Sequence, residues 1–276
     1  MSEDAQSLDV LRRVQEGVAW FTLNRPDTGN AMTPDMRDQI ADWLIEASGD
    51  LDIRAVVITG SGTRGFCTGA DLRANRPPGK PRPEGAPDRI VGEAARTIRL
   101  GWQRLVSAIL DCEKPVVAGV NATAAGGGMH LALACDLVIA AEEAKFIEVF
   151  VRRGIAPDAG GAYLLTRLVG PQRAKELFFF GDDVPASKAL ELGIVNAVVP
   201  RHDLEKTLAE WAGRLATGPT KAIGFAKALA NRALESDRGT AFWDESYAQE
   251  LVNATSDARE GMTAFAERRP PHFRGW

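Results

Sequence analysis

KPVVAGVNATAAGGGMHLALACDLVIAAEEAKF, residues 114–146, carries the alternation on which the fold turns. Residues 114–120 are an apolar, valine-rich run, short enough for a buried strand. Ala124 and Ala125 lead into Gly126, Gly127 and Gly128, and a helix is expected over 129–134. Residues 137–140 are apolar again and read as the next strand. Strand, glycine turn, helix and strand is the order of an α/β unit.

The same alternation extends in both directions. Residues 16–23 (EGVAWFTL) read as a strand closed by Asn24-Arg25-Pro26. Thr33 and Pro34 open a helix, Thr as N-cap and Pro at the first helical position. Met36, Ile40, Trp43 and Leu44 follow at helical spacing. RAVVIT (54–59) is a strand, and GFCTGADL (65–72) is a glycine-bearing turn. A single helix is expected over 91–111, with Ile98, Trp102, Leu105 and Ile109 as its apolar stripe. IAPDAGG (155–161) is another glycine turn, opening a helix that runs to 169. Residues 172–180 and 186–191 read as helices and 194–199 as a strand. Beyond 202 everything reads helical, with Leu204, Leu208, Trp211 and Leu215 on one stripe. The expectation is an α/β core over 1–200 and a C-terminal helical region over 201–276. Residues 74–90 hold five prolines and two glycines, and are expected to form a mobile surface loop.

Bulk composition narrows the function classes. The 276 residues are 45% apolar and 25% charged, an ordinary globular balance. A net charge of −4 argues against a general nucleic-acid binder. Cys67, Cys112 and Cys135 are sparse and odd in number, with no CxxC spacing, which indicates neither a disulfide frame nor a zinc site and fits a reduced, cytoplasmic setting. His130, His202 and His272 lie far apart, so no metal site is expected. No run approaches the ~20 apolar residues of a membrane span.

Two glycine turns carry the chemistry. Glycine lets a ligand approach the backbone closely. A helix that starts at such a turn presents unpaired N–H groups and the positive end of its dipole. FCTGADL (66–72) and AAGGG (124–128) each follow an apparent strand. Together they can supply two converging donors, which an oxyanion hole requires. Each turn taken alone is equally compatible with plain helix–strand packing.

The order NRP…NAM (24–32), GFCTGADL (65–72), 114–146 and GIAPDAGGAYLLTRLVG (154–170), with DAREGMTAFAERRPPHF (257–273) at the end, resembles the crotonase (enoyl-CoA hydratase/isomerase) superfamily. The likeness covers nearly the whole chain. It implies a crotonase-type spiral of ββα units, a C-terminal α-helical trimerisation region, and assembly as a trimer or hexamer. It implies an acyl-CoA thioester as substrate, with no separate cofactor, since coenzyme A is part of the substrate. By position, Ala70 and Gly127 are the two backbone donors to the thioester oxygen, and the carbonyl of Thr68 contacts adenine. The substrate-binding set comprises Arg25, Ala31, Thr68, Gly69, Asp71, Leu72, Gly126, Phe150 and Pro157. Neither nucleic acid nor membrane is an expected partner.

The departures from the family's hydratases are informative. Those enzymes carry two glutamates, and here the corresponding positions are His130 and Phe150. Adding water needs one group to activate it and another to deliver a proton, and Phe150 does neither. KFIEVFVRRGIAPDAGG (145–161) resembles the isomerase branch related to phenylacetate catabolism, in which the aspartate of PD-x-GG shuttles the proton; that residue is Asp158 here. The leading expectation is therefore an enoyl-CoA isomerase working through Asp158. The alternatives are a divergent hydratase or lyase using His130 with Asp158 or Glu148, and a non-catalytic acyl-CoA or RNA-binding relative. On the residues alone, the plainer readings are Asp158 as a cap of the next helix, His130 as a partly buried, hydrogen-bonded histidine, and Glu148 as solvated or salt-bridged.

Overall fold

A computed structural model describes residues 8–73 and 82–276. In chain order its elements are strands β1 (Val10–Gln15) and β2 (Val18–Leu23), helix α1 (Pro34–Gly49), strands β3 (Ala55–Gly60) and β4 (Gly65–Cys67), and helices α2 (Glu93–Leu100) and α3 (Trp102–Leu110). Then come β5 (Val116–Val120), β6 (Thr123–Ala125), α4 (Gly127–Ala134), β7 (Leu137–Ala141), β8 (Lys145–Ile147), α5 (Gly161–Val169) and α6 (Pro171–Phe180). The chain closes with β9 (Asp183–Pro185), α7 (Ala186–Glu191), β10 (Ala197–Val199), α8 (Leu204–Ala216), α9 (Thr220–Ala233), α10 (Arg238–Asn253) and α11 (Ser256–Glu267).

Two sheets are built in alternation. One runs β1-β2-β3-β5-β7-β10 and the other β4-β6-β8-β9. Each consecutive pair, β3/β4, β5/β6 and β7/β8, gives its first strand to the large sheet and its second to the small one, and helices follow. The result is a spiral of ββα units. Apart from the β1/β2 and β8/β9 pairs, the strands are parallel. Strands joined in parallel need crossovers, which the helices supply.

The large sheet is covered on both faces, so its central strands are apolar throughout rather than alternating. On β2, Ala19, Phe21 and Leu23 join the core shared with α1 and α3. Val18 and Trp20 point the other way, onto Leu204, Leu208, Ala212 and Ala216 of α8. Helix α8 is thus part of the sheet's packing, and the helices that extend beyond it begin with α9. Helix α1 starts as its sequence suggests: Thr33 Oγ1 accepts from Met36 N at 3.2 Å, with Pro34 at the first position.

Three features depart from the sequence reading. The helix expected over 91–111 is two, α2 and α3, broken at Gly101, where an added Cβ would lie 2.7 Å from the Thr97 carbonyl oxygen. β1 is an additional edge strand, exposed along five of its six residues, so it has no apolar alternation to announce it. The strands of the small sheet have three residues each, below the length at which periodicity is readable. Of the loop expected over 74–90, residues 74–81 lie outside the described residues, and 82–90 form turns and bends on the surface. Among the described residues no helix is long and apolar enough to cross a membrane.

Candidate active site

β4 and β6 pair in parallel, Cys67 opposite Ala124, so the chain leaves both strands at the same edge of the small sheet. The turns that follow are pressed together. An added Cβ on Gly128 would lie 2.5 Å from the Cys67 carbonyl carbon and 2.8 Å from its Cβ, so only glycine fits. One on Gly69 would stand 3.6 Å from the nitrogen of Gly127.

Ala70 bridges to Met32, with Met32 N donating to Gly69 O at 2.8 Å and Asp71 N donating to Met32 O at 2.9 Å. That pattern turns the N–H of Ala70 itself away from Met32. Gly127 opens α4, so its N–H has no partner within the helix. Among the described residues neither N–H donates to another backbone group outside the regular elements or to a side chain. The turn that carries Ala70 thus packs against the turn that opens α4, at the positive end of that helix.

His130 lies one turn into α4 and is fully buried. Its Nε2 is 3.1 Å from both carboxylate oxygens of Glu148, which is itself buried and bridged only by this ring among the described residues. Phe150 stacks on the imidazole with centroids 5.1 Å apart at 17°. The first residue of α5, Gly161, packs against the Nε2 edge, where a Cβ would overlap ring atoms. Nδ1 is buried with no partner among the described residues. His130 thus faces a neighbouring carboxylate rather than an open cleft.

Asp158 lies half-buried in the turn before α5. It does not cap that helix: the N-cap is Gly160, without a side-chain cap bond. Gln103 Nε2 donates to the Asp158 backbone oxygen at 3.3 Å. The residue before it, Trp102, lies against Gly127, with indole atoms 2.8 Å from where a Cβ would be. Consecutive residues of α3 therefore touch the Gly127 donor and the Asp158 turn. Burial holds the Asp158 carboxyl above the usual carboxylate range, and the charge of His130 opposes that rise. A raised carboxyl is the stronger base once ionised.

The remaining expected residues are distributed around this pair of turns. Arg25 Nη1 donates to Ala31 O at 2.7 Å and to Asp71 Oδ2 at 2.8 Å, bracing the 24–32 segment against the 65–72 turn. Thr68 N donates to Gly29 O at 3.2 Å. Gly69 is buried, Leu72 is exposed, and Pro157 is half-buried beside Asp158. Gly126 has a positive φ of 53° and donates to Ile147 O at 2.9 Å. Cys67 sits beneath the turns, but burial pushes its thiol up to about 12, so it is no nucleophile. Two hollows of roughly 490 and 500 Å³ lie elsewhere, beneath α8 and beside α9, and share no lining with these residues. Two glycine turns packed together, with a half-buried carboxylate braced by the same helix α3, are the stronger indication of chemistry.

Sequence spacing gave no sign of Trp102 beside Gly127 or of Gln103 on Asp158, whereas the readings of His130 as a hydrogen-bonded buried histidine and of Glu148 as salt-bridged meet in one contact. The one available signal was glycine itself: 128 and 161 are both positions of close approach.

The sequence profile of the family described as enoyl-CoA hydratase/isomerase matches residues 13–275. A probable enoyl-CoA hydratase of Rhodobacter capsulatus is 38% identical over 262 residues, 95% of this chain and 96% of that protein. The 1,2-epoxyphenylacetyl-CoA isomerase of Escherichia coli is 37% identical over 267 residues, 96% of this chain and 98% of that one. Among solved structures, an enoyl-CoA hydratase from Bacillus anthracis superposes with a TM-score of 0.87 at 31% identity, covering 98% of this chain and 100% of its own.

Proposed function

This chain belongs to the enoyl-CoA hydratase/isomerase family of crotonase-type enzymes, and on that premise we propose that it moves a carbon–carbon double bond in an enoyl-CoA thioester, with Asp158 as the sole proton carrier. The N–H groups of Ala70 and Gly127 hold the thioester oxygen. The Asp158 carboxylate takes a proton from the α-carbon of a 3-enoyl thioester, giving a dienolate whose negative charge rests on that oxygen. The carboxylic acid then returns the proton to the γ-carbon, leaving a 2-enoyl thioester and an ionised Asp158. Nothing is added or lost, so one base suffices. Each amide donor is worth roughly 2.7–4 kcal/mol in the transition state.

The observation that carries this reading is the stacked pair His130 and Phe150. Where hydration needs two groups holding water, one position is an apolar ring and the other a buried imidazole whose Nε2 already faces Glu148. Asp158 is left as the half-buried carboxylate without a side-chain partner among the described residues, and its neighbour α3 also touches Gly127. The test is incubation with 2-enoyl- and 3-enoyl-CoA in H₂¹⁸O. Double-bond migration without ¹⁸O incorporation is expected; rapid formation of ¹⁸O-labelled 3-hydroxyacyl-CoA would support the hydratase alternative through His130.

The proposal includes self-association as a trimer, or as a hexamer of two trimers. On α10, Trp243, Tyr247 and Leu251 recur every four residues, and all are more than half exposed, as are Phe242 on α10 and Met262 and Phe265 on α11. Apolar surface of this extent marks an interface. Light scattering at micromolar concentration distinguishes these states, and a monomer would contradict the assembly.

A further inference from the structure

The His130–Glu148 contact has no place in the proton shuttle, yet burying it is costly. An ionised carboxylate without water requires a partner that shares a proton with it. Glu148 is 2% exposed, and among the described residues its carboxylate has one partner, the imidazole of a fully buried histidine. The ring is held on three sides: by Glu148 at Nε2, by Phe150 across its face, and by the backbone of Gly161 along its edge. Gly161 opens α5, three residues after Asp158. Any rotation of the imidazole would push on the turn that carries the base.

We propose that His130 and Glu148 form a positioning pair for Asp158, Glu148 fixing the ring's orientation and charge so that the ring seats the 158–161 turn and acts electrostatically on the base. This rests on the reading of Asp158 as the proton carrier. The other titratable side chains on elements packed around the ring do not provide this effect. Cys67 on β4 is neutral because burial pushes its thiol up to about 12. Tyr163 and Arg167 on α5, and Arg152 and Arg153 after β8, are exposed. Arg104 on α3 is paired with Asp42. His130 is the side chain whose electrostatic influence offsets part of the burial of Asp158.

Glu148→Gln is the sharpest perturbation, because it keeps the size and an acceptor for Nε2–H while removing the charge. Asp158 then loses part of the attraction that offsets its burial and ionises less readily. The acid limb of kcat/KM for double-bond migration is expected to move to higher pH, on the order of 0.5–1 unit, with KM little changed. A second measurement needs no turnover and no Glu148 variant. ¹⁵N-histidine NMR reports three rings, and His202 and His272 are exposed, which separates them from His130. The His130 nitrogens of the unaltered protein should show an inflection from the ionisation of Asp158, and Asp158→Asn should abolish it. An unmoved acid limb in Glu148→Gln, or His130 shifts indifferent to Asp158→Asn, would overturn the pairing. If the inflection is present but the enzyme hydrates instead of isomerising, the proposed reaction fails and the pairing stands.

Discussion

Gly128→Ala tests the donor pair without touching a donor. The added Cβ would overlap the Cys67 carbonyl oxygen and lie 2.5 Å from its carbon, whereas ordinary contact begins near 3.4 Å, so the seam must open by well over ~1 Å. β4 cannot retreat, because Phe66 and Cys67 are fully buried in the core. The movement therefore falls on the head of α4 or on the 68–70 turn, and either changes the spacing of the Ala70 and Gly127 amides. A misplacement of roughly 1 Å costs about 10²-fold in rate, and complete loss of one donor costs about 10²–10³-fold in kcat. Overpacking costs about 1–3 kcal/mol of stability, which a marginal domain tolerates. The assay is kcat for double-bond migration, read beside a thermal melt and the KM for the thioester. Gly49→Ala is the control, since nothing lies within 4 Å of its added Cβ. A folded Gly128→Ala protein with kcat within about threefold of the parent would refute the amide-pair argument, because that argument makes the oxyanion geometry dominant.

Asp158→Asn should reduce double-bond migration by roughly 10²–10⁴-fold. Its effect on stability has a definite sign: burial raises the Asp158 carboxyl above its unfolded value, so the acid form's favourable contribution is complete below the unfolded pKa and is lost as pH rises through the folded one. The amide variant should therefore melt higher than the parent at pH 7, with the difference vanishing near pH ~4; a lower melting temperature at pH 7 would contradict the burial argument. Lys227→Met removes a cation 2.9 Å from Asp136 with only 6% of its side chain exposed, and also strips donors from the Ile109 and Lys114 carbonyls. Denaturant unfolding should show a loss of about 3–5 kcal/mol at pH 7. That loss should shrink in acid, where the Asp136 carboxyl, already raised by burial, takes up a proton.

The legible parts of the sequence were those in which a local pattern and the tertiary environment agree. β3, β5 and β7 are buried on both faces and read as plain apolar runs, and α1 carries its cap and its first proline in adjacent residues. What failed to register was short or exposed. The small sheet is made of three-residue strands held by the spiral, and β1 is an edge whose outward residues include Arg12 and Arg13. The break between α2 and α3 rests on Gly101, which an apolar stripe overrides when only periodicity is counted. Around the site, the close-packed turns were foreshadowed by glycines, whereas most side-chain relations were not. His130 and Glu148 are 18 residues apart and meet because β8 pairs with β6, the strand that leads into α4.

The tight seam between Cys67 and Gly128 divides the site into a part that substitution cannot easily rewrite and a part that it can. The two N–H groups belong to the main chain, so no side chain short of proline at Ala70 or Gly127 deletes them, and a steric wedge moves them. The side chains proposed to direct the proton are ordinary ones at 130, 148, 150 and 158, carried by α4, the stretch after β8 and the turn before α5. A lineage built this way can exchange its acids and bases one codon at a time while the anion binder stays in place. On the proposed mechanism, selection for a new reaction then begins from a scaffold that already stabilises the enolate.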